Sequence, residues 1–312
     1  MTDRCPVGCS HCSVDSRPNS PTISDFSQFE GIVKWICRQS YLTTVGITGG
    51  EPFVERRGLT LAVANIAHAG KDIVLYTSGI WAKAKLSQWI KEVLQQVNCV
   101  FLSTDSFHSK TVDDESFVKA AQAIAAEGTW LVIQVLAFPE TVRKVRRLLE
   151  KAFGGEYSNY AELNLVQPLR IGRGVSVFDE RPGKLGQDFG RCSLLASPVI
   201  RYDGVVSACC NEHVIMDRNE QKLRRLCHSN QDIEQSILDF KTDPLLQAFA
   251  HIGLGNITGL PGFTDLANQE FPNICSLCKS IRQRMSEMGD SGNDLVSILN
   301  FIALEDNYEN NH

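Results

Sequence analysis

The sequence lacks the long apolar run that a transmembrane helix requires. Its longest nearly continuous apolar segment, WLVIQVLAF at residues 130–138, is far shorter than the roughly 20 residues that cross a bilayer. The first residues also lack the apolar stretch of a secretory signal. These two absences argue against a membrane partner and predict a cytoplasmic protein.

An excess of positive charge is absent as well. The chain has 31 Lys and Arg residues against 36 Asp and Glu residues, which gives a formal net charge of -5. Because nucleic acid binding depends largely on cationic side chains that face phosphates, this balance argues against a nucleic acid partner. With 43% hydrophobic and 21% charged residues, the composition is typical of a folded globular protein.

Cysteine, by contrast, is abundant. There are eleven cysteines, an odd number that does not suit complete disulfide pairing. In a reducing compartment, clustered cysteines are more often metal ligands or redox groups. One cluster opens the chain in CPVGCSHC, and a second group follows residue 175. The sequence therefore predicts metal or iron-sulfur chemistry at both places.

Strands and helices alternate between the two groups of cysteines. A helix at about 25–39 precedes a short strand that ends in GGEP, and further strands are expected at 72–79, 99–105, 130–138 and 161–169. This rhythm is typical of parallel βα units with right-handed crossovers. We expect an α/β fold, a partial (βα)6 TIM-like barrel whose first strand is short or truncated, because only residues 1–4 precede Cys5.

Four polar segments fall at the carboxyl ends of these strands, where a parallel barrel carries its chemistry. They are CPVGCSHC, GGEP, TSG and STDSFH. Beyond residue 175 the alternation stops, so the predicted domains are 1–175 and 176–312. The second should be a small cysteine-rich α+β domain, with a hairpin that turns at Asp203-Gly204 and a helical stretch at 232–251 interrupted at Pro244. The segment GLGNITGLPGF at 253–263 is expected to be a flexible connection.

The three cysteines of CPVGCSHC leave two kinds of site open. A structural zinc site needs four ligands, and His11 could be the fourth, although its place next to Cys12 limits its reach. An iron-sulfur cubane takes thiolates at its corners. Three thiolates then leave one iron free for another ligand.

At this point the sequence resembles the radical S-adenosylmethionine (SAM) superfamily. That family has a Cys-x3-Cys-x2-Cys signature with an aromatic-like residue before the last cysteine, and Cys5, Cys9, His11 and Cys12 match it. The resemblance implies a 4Fe-4S cluster whose fourth iron binds SAM. An electron from the reduced cluster then cleaves SAM to a 5′-deoxyadenosyl radical that abstracts a hydrogen atom from the substrate.

The GGEP turn supports the same resemblance. In the family, the main chain of this turn holds the methionyl amino group, which assigns that role to Gly49, Gly50 and Glu51. Taken alone, the motif could be an ordinary glycine turn after a strand. Its position at the end of the second expected strand agrees with the cysteine motif.

Weaker parts of the resemblance assign four more side chains to the cofactor. Ser103 and Asp105 match a Ser-x-Asp element that faces SAM, or else they cap the next helix. Ser78 stands where relatives have asparagine, and Arg173 or Arg170 would lie near SAM or substrate, or form a surface salt bridge. No side chain is assigned a catalytic acid, base or hydrogen donor.

The second group of cysteines resembles the SPASM and twitch auxiliary-cluster domains. The hairpin spacing from Cys192 to Cys209 and the late pair Cys275 and Cys278 imply one auxiliary 4Fe-4S cluster, as in the shorter twitch domain. Cys210 could take the place of Cys209. A four-cysteine zinc site is the alternative, since two separated pairs suit tetrahedral closure.

The resemblance implies a radical SAM oxidoreductase supplied with electrons by a flavodoxin-like or ferredoxin-like reductant. Two substrate classes compete: a ribosomally made peptide that is crosslinked or epimerised, which we favour, and a small molecule such as an aminocyclitol. A non-catalytic iron-sulfur or zinc protein is the alternative from another class, although neither needs the GGEP turn. The atom attacked, the fate of SAM, the oligomeric state and the completeness of the N-terminus stay open.

Overall fold

A computed structural model describes residues 1–180, 182–217 and 222–289 of the chain. It divides into two compact units. The first consists of Met1–Phe178 and Arg201–Gly204, and the second of Asp179–Ile200 and the described residues after Gly204. The functional division into domains 1–175 and 176–312 stays a prediction.

The first unit contains one parallel sheet of five strands in the order β1-β2-β3-β4-β5. The strands are β1 (Thr44–Ile47), β2 (Asp72–Thr77), β3 (Cys99–Ser103), β4 (Trp130–Leu136) and β5 (Ala161–Val166). The helices of this unit are α1 (Phe26–Arg38), α2 (Arg56–His68), α3 (Gln88–Leu94), α4 (Asp114–Ala126) and α5 (Pro139–Phe153). The α/β prediction is confirmed, and the architecture is a partial TIM-like barrel.

Local sequence explains where these helices begin. The side chain of Asp25 accepts a hydrogen bond from the Gln28 amide at the start of α1, and Asp113 does the same for Ser116 at the start of α4. Such caps satisfy amides that lack a partner within the helix. Helix α5 begins at Pro139, whose fixed φ suits the first helical position.

A strand before Cys5 is not found among the described residues. Instead, the main chain of the first four residues pairs with the segment that follows β1: the amides of Gly50 and Glu51 donate to the carbonyls of Thr2 and Arg4, at 2.6 and 2.9 Å. The expected first strand is thus reduced to single hydrogen bonds. They nevertheless hold the start of the chain beside the end of β1.

The second unit is built from short elements. Its strands are β6 (Lys184–Leu185), β7 (Val199–Ile200), β8 (Val205–Ser207), β9 (Arg224–Leu226) and β10 (Glu270–Phe271). Its helices are α6 (Glu212–Met216), α7 (Asn230–Thr242), α8 (Pro244–His251), α9 (Leu254–Thr258), α10 (Thr264–Ala267) and α11 (Ile274–Glu287). Antiparallel pairing joins β7 to β8 and β8 to β9, and β6 to β10.

Three local predictions for the chain beyond residue 175 can be compared with the structure. The hairpin turn at Asp203-Gly204 is confirmed, since Gly204 has a φ of +81° between β7 and β8. The helical break at Pro244 is confirmed as well, because α7 ends at Thr242 and α8 begins at Pro244. The flexible connection at 253–263 is wrong: α9 lies there, and Leu254 and Ile257 are fully buried. Among the described residues, no helix has the length and apolar character to cross a membrane.

Candidate functional site

The cysteine loop at the start of the first unit carries a hydrogen-bond donor for each of its three thiols. The amides of Val7 and Gly8 donate to Cys5, and the amide of Ser16 donates to the Cys12 sulfur at 3.4 Å. The imidazole of His108 hydrogen-bonds Cys9.

Such donors stabilise thiolates and tune the potential of a bound cluster. Burial raises the pKa of the Cys5 thiol to about 11, against the opposing effect of its two amide donors. Metal binding must therefore displace a proton there. Three thiols in one loop, each with its own donor, fit a three-cysteine iron-sulfur site.

The GGEP turn lies against the segment that leads into Cys5. A methyl group on Gly50 would overlap the carbonyl of Arg4 and lie 2.8 Å from the Asp3 oxygen, and one on Gly49 would lie 2.9 Å from the Thr2 nitrogen. Neither position has room for a side chain, which is why glycine is needed at both. The close approach permits the hydrogen bonds between the two segments and thereby positions Cys5.

Glu51 is fully buried, and its carboxylate accepts hydrogen bonds from four groups. The amide and hydroxyl of Ser78 donate to Oε2, and the Thr77 hydroxyl and the Phe53 amide donate to Oε1. Burial raises the pKa of Glu51, although these donors oppose the shift. The side chain thus joins the GGEP turn to the end of β2. Contact of the Glu51 main chain or of Ser78 with SAM stays a prediction.

Asp105 is buried between two histidines just beyond β3. Its Oδ2 lies 2.9 Å from Nδ1 of His108 and 3.3 Å from Nε2 of His11, while Oδ1 accepts from the amides of Phe107 and His108. Burial alone would raise the pKa of Asp105, but hydrogen bonds from His108 and His11 hold it well below its usual range. Both carboxylate oxygens are therefore occupied by the protein itself.

His11 lies in an aromatic environment. Its ring centroid is 4.7 Å from that of Phe107 and 5.9 Å from that of Phe178. Its Nδ1 is buried and has no hydrogen-bond partner among the described residues. A buried polar atom without a hydrogen-bond partner destabilises the folded protein unless a ligand or a water molecule supplies the hydrogen bond. This atom fits the prediction that His11 lines a cofactor site.

Arg173 contacts the cysteine loop instead of an open cavity. Its five N–H groups are directed to the carbonyls of Cys9 and Ser16 and to the carboxylate of Asp15. A guanidinium has only five donors, so a contact with SAM would require one of these bonds to break. Ser103, the last residue of β3, is partly buried. The cofactor roles predicted for both residues stay predictions.

The second group of thiols is brought together within the second unit. Cys209 and Cys275 each interact electrostatically with Cys192 and Cys210, and Cys278 interacts with Cys192, Cys209 and Cys275. Burial raises the pKa of Cys278 and of Cys275 to about 12. The side-chain Nδ2 of Asn211 donates to the Cys275 sulfur at 3.1 Å.

The spacing of these thiols bears on the zinc alternative. Two sulfurs on a tetrahedral zinc stand about 3.8 Å apart, given Zn–S bonds of about 2.3 Å. Among the described residues, the only set of three or more His, Cys, Asp or Glu ligand atoms all within 4.8 Å of one another is His11, Asp105 and His108. Among the described residues, no three thiols of either cysteine group lie within 4.8 Å of one another, and the choice between a zinc ion and a cubane stays a prediction.

Sequence reasoning missed the roles of His108 and Asp15. The STDSFH segment contains His108 three residues after Asp105, a spacing that permits the observed pair. Asp15 follows the cysteine motif with a φ of +52°. A positive φ outside glycine is uncommon, and no signal in the sequence announces it here.

Comparison with known proteins places this site in a family. Residues 1–152 match the model of the Radical SAM superfamily. They carry the Cys-x3-Cys-x2-Cys loop, the GGEP turn and the Asp105 pair described above, so this part of the chain is a radical SAM domain.

Individual relatives match more weakly. The "Putative peptide biosynthesis protein YydG" of Bacillus subtilis (strain 168) is 26% identical over 120 residues, which cover 37% of this chain and 37% of that protein. The match thus spans well under two thirds of YydG.

Two solved structures resemble the chain in part. Streptococcus suis SuiB bound to S-adenosylmethionine has a TM-score of 0.48 and 14% identity, over 78% of this chain and 65% of SuiB. BtrN in complex with AdoMet and 2-DOIA has a TM-score of 0.43 and 13% identity, over 87% of this chain and 94% of BtrN.

The close approach at the GGEP turn yields a first prediction. Gly50→Ala should displace the Arg4 carbonyl and with it Cys5, so that the protein retains less iron after oxygen-free reconstitution. Gly155→Ala adds the same methyl group in open space and should retain as much iron as wild type. Iron assays on the purified variants check this. Equal iron in both variants would contradict the positioning role of the turn.

A second prediction concerns the Asp105 and His108 pair. Burial alone would lower the pKa of His108, but its hydrogen bonds with Asp105 and Cys9 raise it to about 10. Because the folded pKa exceeds the unfolded value of about 6.5, the pair stabilises the fold fully below about pH 6.5 and loses this contribution as the pH approaches 10.

Asp105→Asn should therefore lower the unfolding free energy of the cluster-free protein by about 3 kcal/mol near pH 6, and by less at each step towards pH 10. Denaturant titrations at several pH values measure the difference. Asp114→Asn, at a surface pair with Lys144, serves as control and should show a small, constant effect up to pH 9. A difference for Asp105→Asn that does not vary with pH would refute the pairing.

Proposed function

We propose that this chain is a radical SAM oxidoreductase in which Cys5, Cys9 and Cys12 hold a 4Fe-4S cluster. The observation that carries the proposal is the three-thiol loop, with a donor at each sulfur, inside the segment that matches the radical SAM family. When bound, the cluster supplies the electron for reductive cleavage of SAM. The protein then has to hold the loop, orient SAM and exclude water.

The residues divide into two groups by what their polar atoms already bind. His11 has a buried Nδ1 without a protein partner among the described residues, and we assign it to SAM on that ground. We assign the main chain of the GGEP turn, Ser78 and Ser103 to SAM from the family resemblance alone, because the amides of Gly50 and Glu51 and the hydroxyl of Ser78 already donate to other groups of the protein. Asp105 and Arg173 have their charged groups occupied by the protein. We therefore assign these two to positioning the loop and the histidines around it.

We further propose that Cys192, Cys209, Cys275 and Cys278 hold an auxiliary 4Fe-4S cluster. The electrostatic interactions among these four thiols support a shared site, and the hydrogen bond from the side-chain amide of Asn211 to the Cys275 sulfur supports a thiolate there. This cluster would accept the electron that the substrate radical releases, or organise the substrate. A flavodoxin-like or ferredoxin-like protein would reduce the N-terminal cluster.

The substrate that we propose is a ribosomally made peptide, which is crosslinked or epimerised. Support comes from the name of YydG, which links that partial relative to peptide biosynthesis. A small molecule such as an aminocyclitol is the alternative, and the substrate test must distinguish it from a peptide.

Oxygen-free reconstitution tests the cofactors. We expect about eight irons per chain, four for each cubane, and 5′-deoxyadenosine on addition of SAM and reductant. Cys12→Ala should lose about four irons and all SAM cleavage. Cys278→Ala should lose about four irons but keep a paramagnetic resonance signal that shifts with SAM. The control Cys37→Ala, a thiol against the hydrophobic core, should match wild type. Zinc in place of iron in the wild type would end the proposal.

The substrate class can be tested by measuring SAM cleavage with and without each candidate substrate. Short peptides encoded beside this gene, added to the reconstituted protein, should increase 5′-deoxyadenosine formation and show a mass loss of two hydrogens for a crosslink, or no mass change with solvent deuterium uptake for an epimerisation. An aminocyclitol should have neither effect. Stimulation by the aminocyclitol, with no change in any peptide, would replace the peptide proposal by its alternative.

A further inference from the structure

The segment Ile171–Gly174, read as IGRG, packs directly on the cysteine loop. Gly172 has a φ of +56°, and a methyl group there would lie 2.6 Å from the Cys12 carbonyl oxygen and closer still to that of Ser13. The amide of Arg173 donates to the same Cys12 carbonyl at 3.0 Å. The main chain of this segment therefore packs closely on the loop, independently of any side-chain contact.

The guanidinium of Arg173 extends this contact to Cys9, inside the loop, and to Asp15 and Ser16, which follow it. Nε and Nη2 donate to the Cys9 carbonyl at 2.9 and 2.6 Å, and Nη1 and Nη2 each donate to the Ser16 carbonyl at 3.1 Å. Nη1 also donates to the Asp15 carboxylate. All five N–H groups are used, and the side chain is 16% exposed. A planar fork with five donors makes such a multiple contact, which lysine cannot reproduce.

The loop contains a strained residue at the point where Arg173 binds it. Asp15 has a φ of +52°, a left-handed conformation that costs free energy outside glycine. Its carboxylate pairs with Arg173 and, at 2.9 Å, with Arg17. The hydrogen bond from Arg173 lowers the pKa of Asp15. Arg173 and Arg17 thus bind the Asp15 carboxylate while its main chain adopts this conformation.

The conformation of Asp15 decides where the next amide points. The amide of Ser16 donates to the Cys12 sulfur, and the carbonyl of Ser16 accepts from Arg173. The N–H and C=O groups of Ser16 are therefore both held by hydrogen bonds. A donor to a ligating sulfur raises the reduction potential of a cluster and strengthens its retention.

We propose that Arg173 is a positioning residue for the N-terminal cluster: by binding the carbonyls of Cys9 and Ser16 and the carboxylate of Asp15, it fixes the cysteine loop and aims the Ser16 amide at the Cys12 sulfur. This role rests on the proposed iron-sulfur function. It differs from the SAM or substrate contact expected from the sequence, because the guanidinium has no N–H group left for a ligand.

The experiment compares Arg173→Gln, Arg173→Lys and Asp15→Asn with wild type after oxygen-free reconstitution. The paramagnetic resonance signal that changes with SAM reports only the cluster with an open iron, so the auxiliary site does not interfere. In Arg173→Gln we expect its midpoint potential to shift to more negative values and a ferrous chelator to remove its iron about tenfold faster. Arg173→Lys and Asp15→Asn should shift both quantities less, in the same direction.

Arg146→Gln is the matched control, because Arg146 is an exposed arginine on α5; it should leave potential and iron release unchanged. Thermal melting of the cluster-free proteins shows whether each variant folds. If Arg173→Gln does not fold, Asp15→Asn still tests the inference. An unchanged potential and unchanged iron release in the folded Arg173 variants overturn the inference.

Hydrogen exchange in the cluster-free protein separates this inference from the proposed function. Arg173→Gln should accelerate exchange of the amides at 9–17, whether or not iron is ever bound. Faster exchange in a protein whose wild type shows no SAM-sensitive signal would refute the iron-sulfur function but support the contact by which Arg173 fixes the cysteine loop. Unchanged exchange would refute that contact's role even where the wild type binds its cluster.

Discussion

The main-chain pairing between residues 2–4 and the GGEP turn is the constraint on which the first unit's site depends. The amides of Gly50 and Glu51 donate to the carbonyls of Thr2 and Arg4, and no complete strand assists them in the described residues. Two glycines allow this approach, because a Cβ atom at either position would enter the opposing backbone. Through these few bonds, the cysteine loop lies at the carboxyl end of the parallel sheet.

Charged side chains around that loop are stabilised by the protein itself. The Glu51 carboxylate accepts hydrogen bonds from the Phe53 amide and from groups at the end of β2, and Asp105 pairs with two histidines. Arg173 donates to loop carbonyls and a carboxylate. Burial of a charge costs free energy unless hydrogen bonds compensate it. Because each group is already satisfied, each acts as a fixed support. The Nδ1 of His11, by contrast, is buried without a protein partner among the described residues, and we propose it as a contact to the cofactor.

The two cysteine groups are assembled in different ways. Cys5, Cys9 and Cys12 lie within one turn of chain, so their spacing alone brings the sulfurs near one another. The second group joins a residue before β7, a residue after β8 and two residues near the start of α11. Those sulfurs come together only when the second unit has folded, so the metal binding that we propose there would be coupled to the stability of the unit.

Local patterns in the sequence determined the alternation of strands and helices, the cysteine loop, the hairpin turn and the break at Pro244. Periodicity, turn residues and short spacings act over a few residues, and no distant partner is needed to interpret them. Strand ends were less accurate: β2 and β5 stop before the expected 79 and 169, because the last residues leave the ladder of hydrogen bonds to form the loops of the site.

Tertiary structure alone decided which groups meet. Arg173 and the Cys9 carbonyl are 164 positions apart, and nothing in either local segment indicates their contact. The pairing of Asp105 with His11, and the buried helix at Leu254, likewise depend on neighbours from other parts of the chain. Sequence thus specified the chemical groups and the local conformations that present them, whereas packing decided which charges are satisfied internally and which atoms stay open to a ligand.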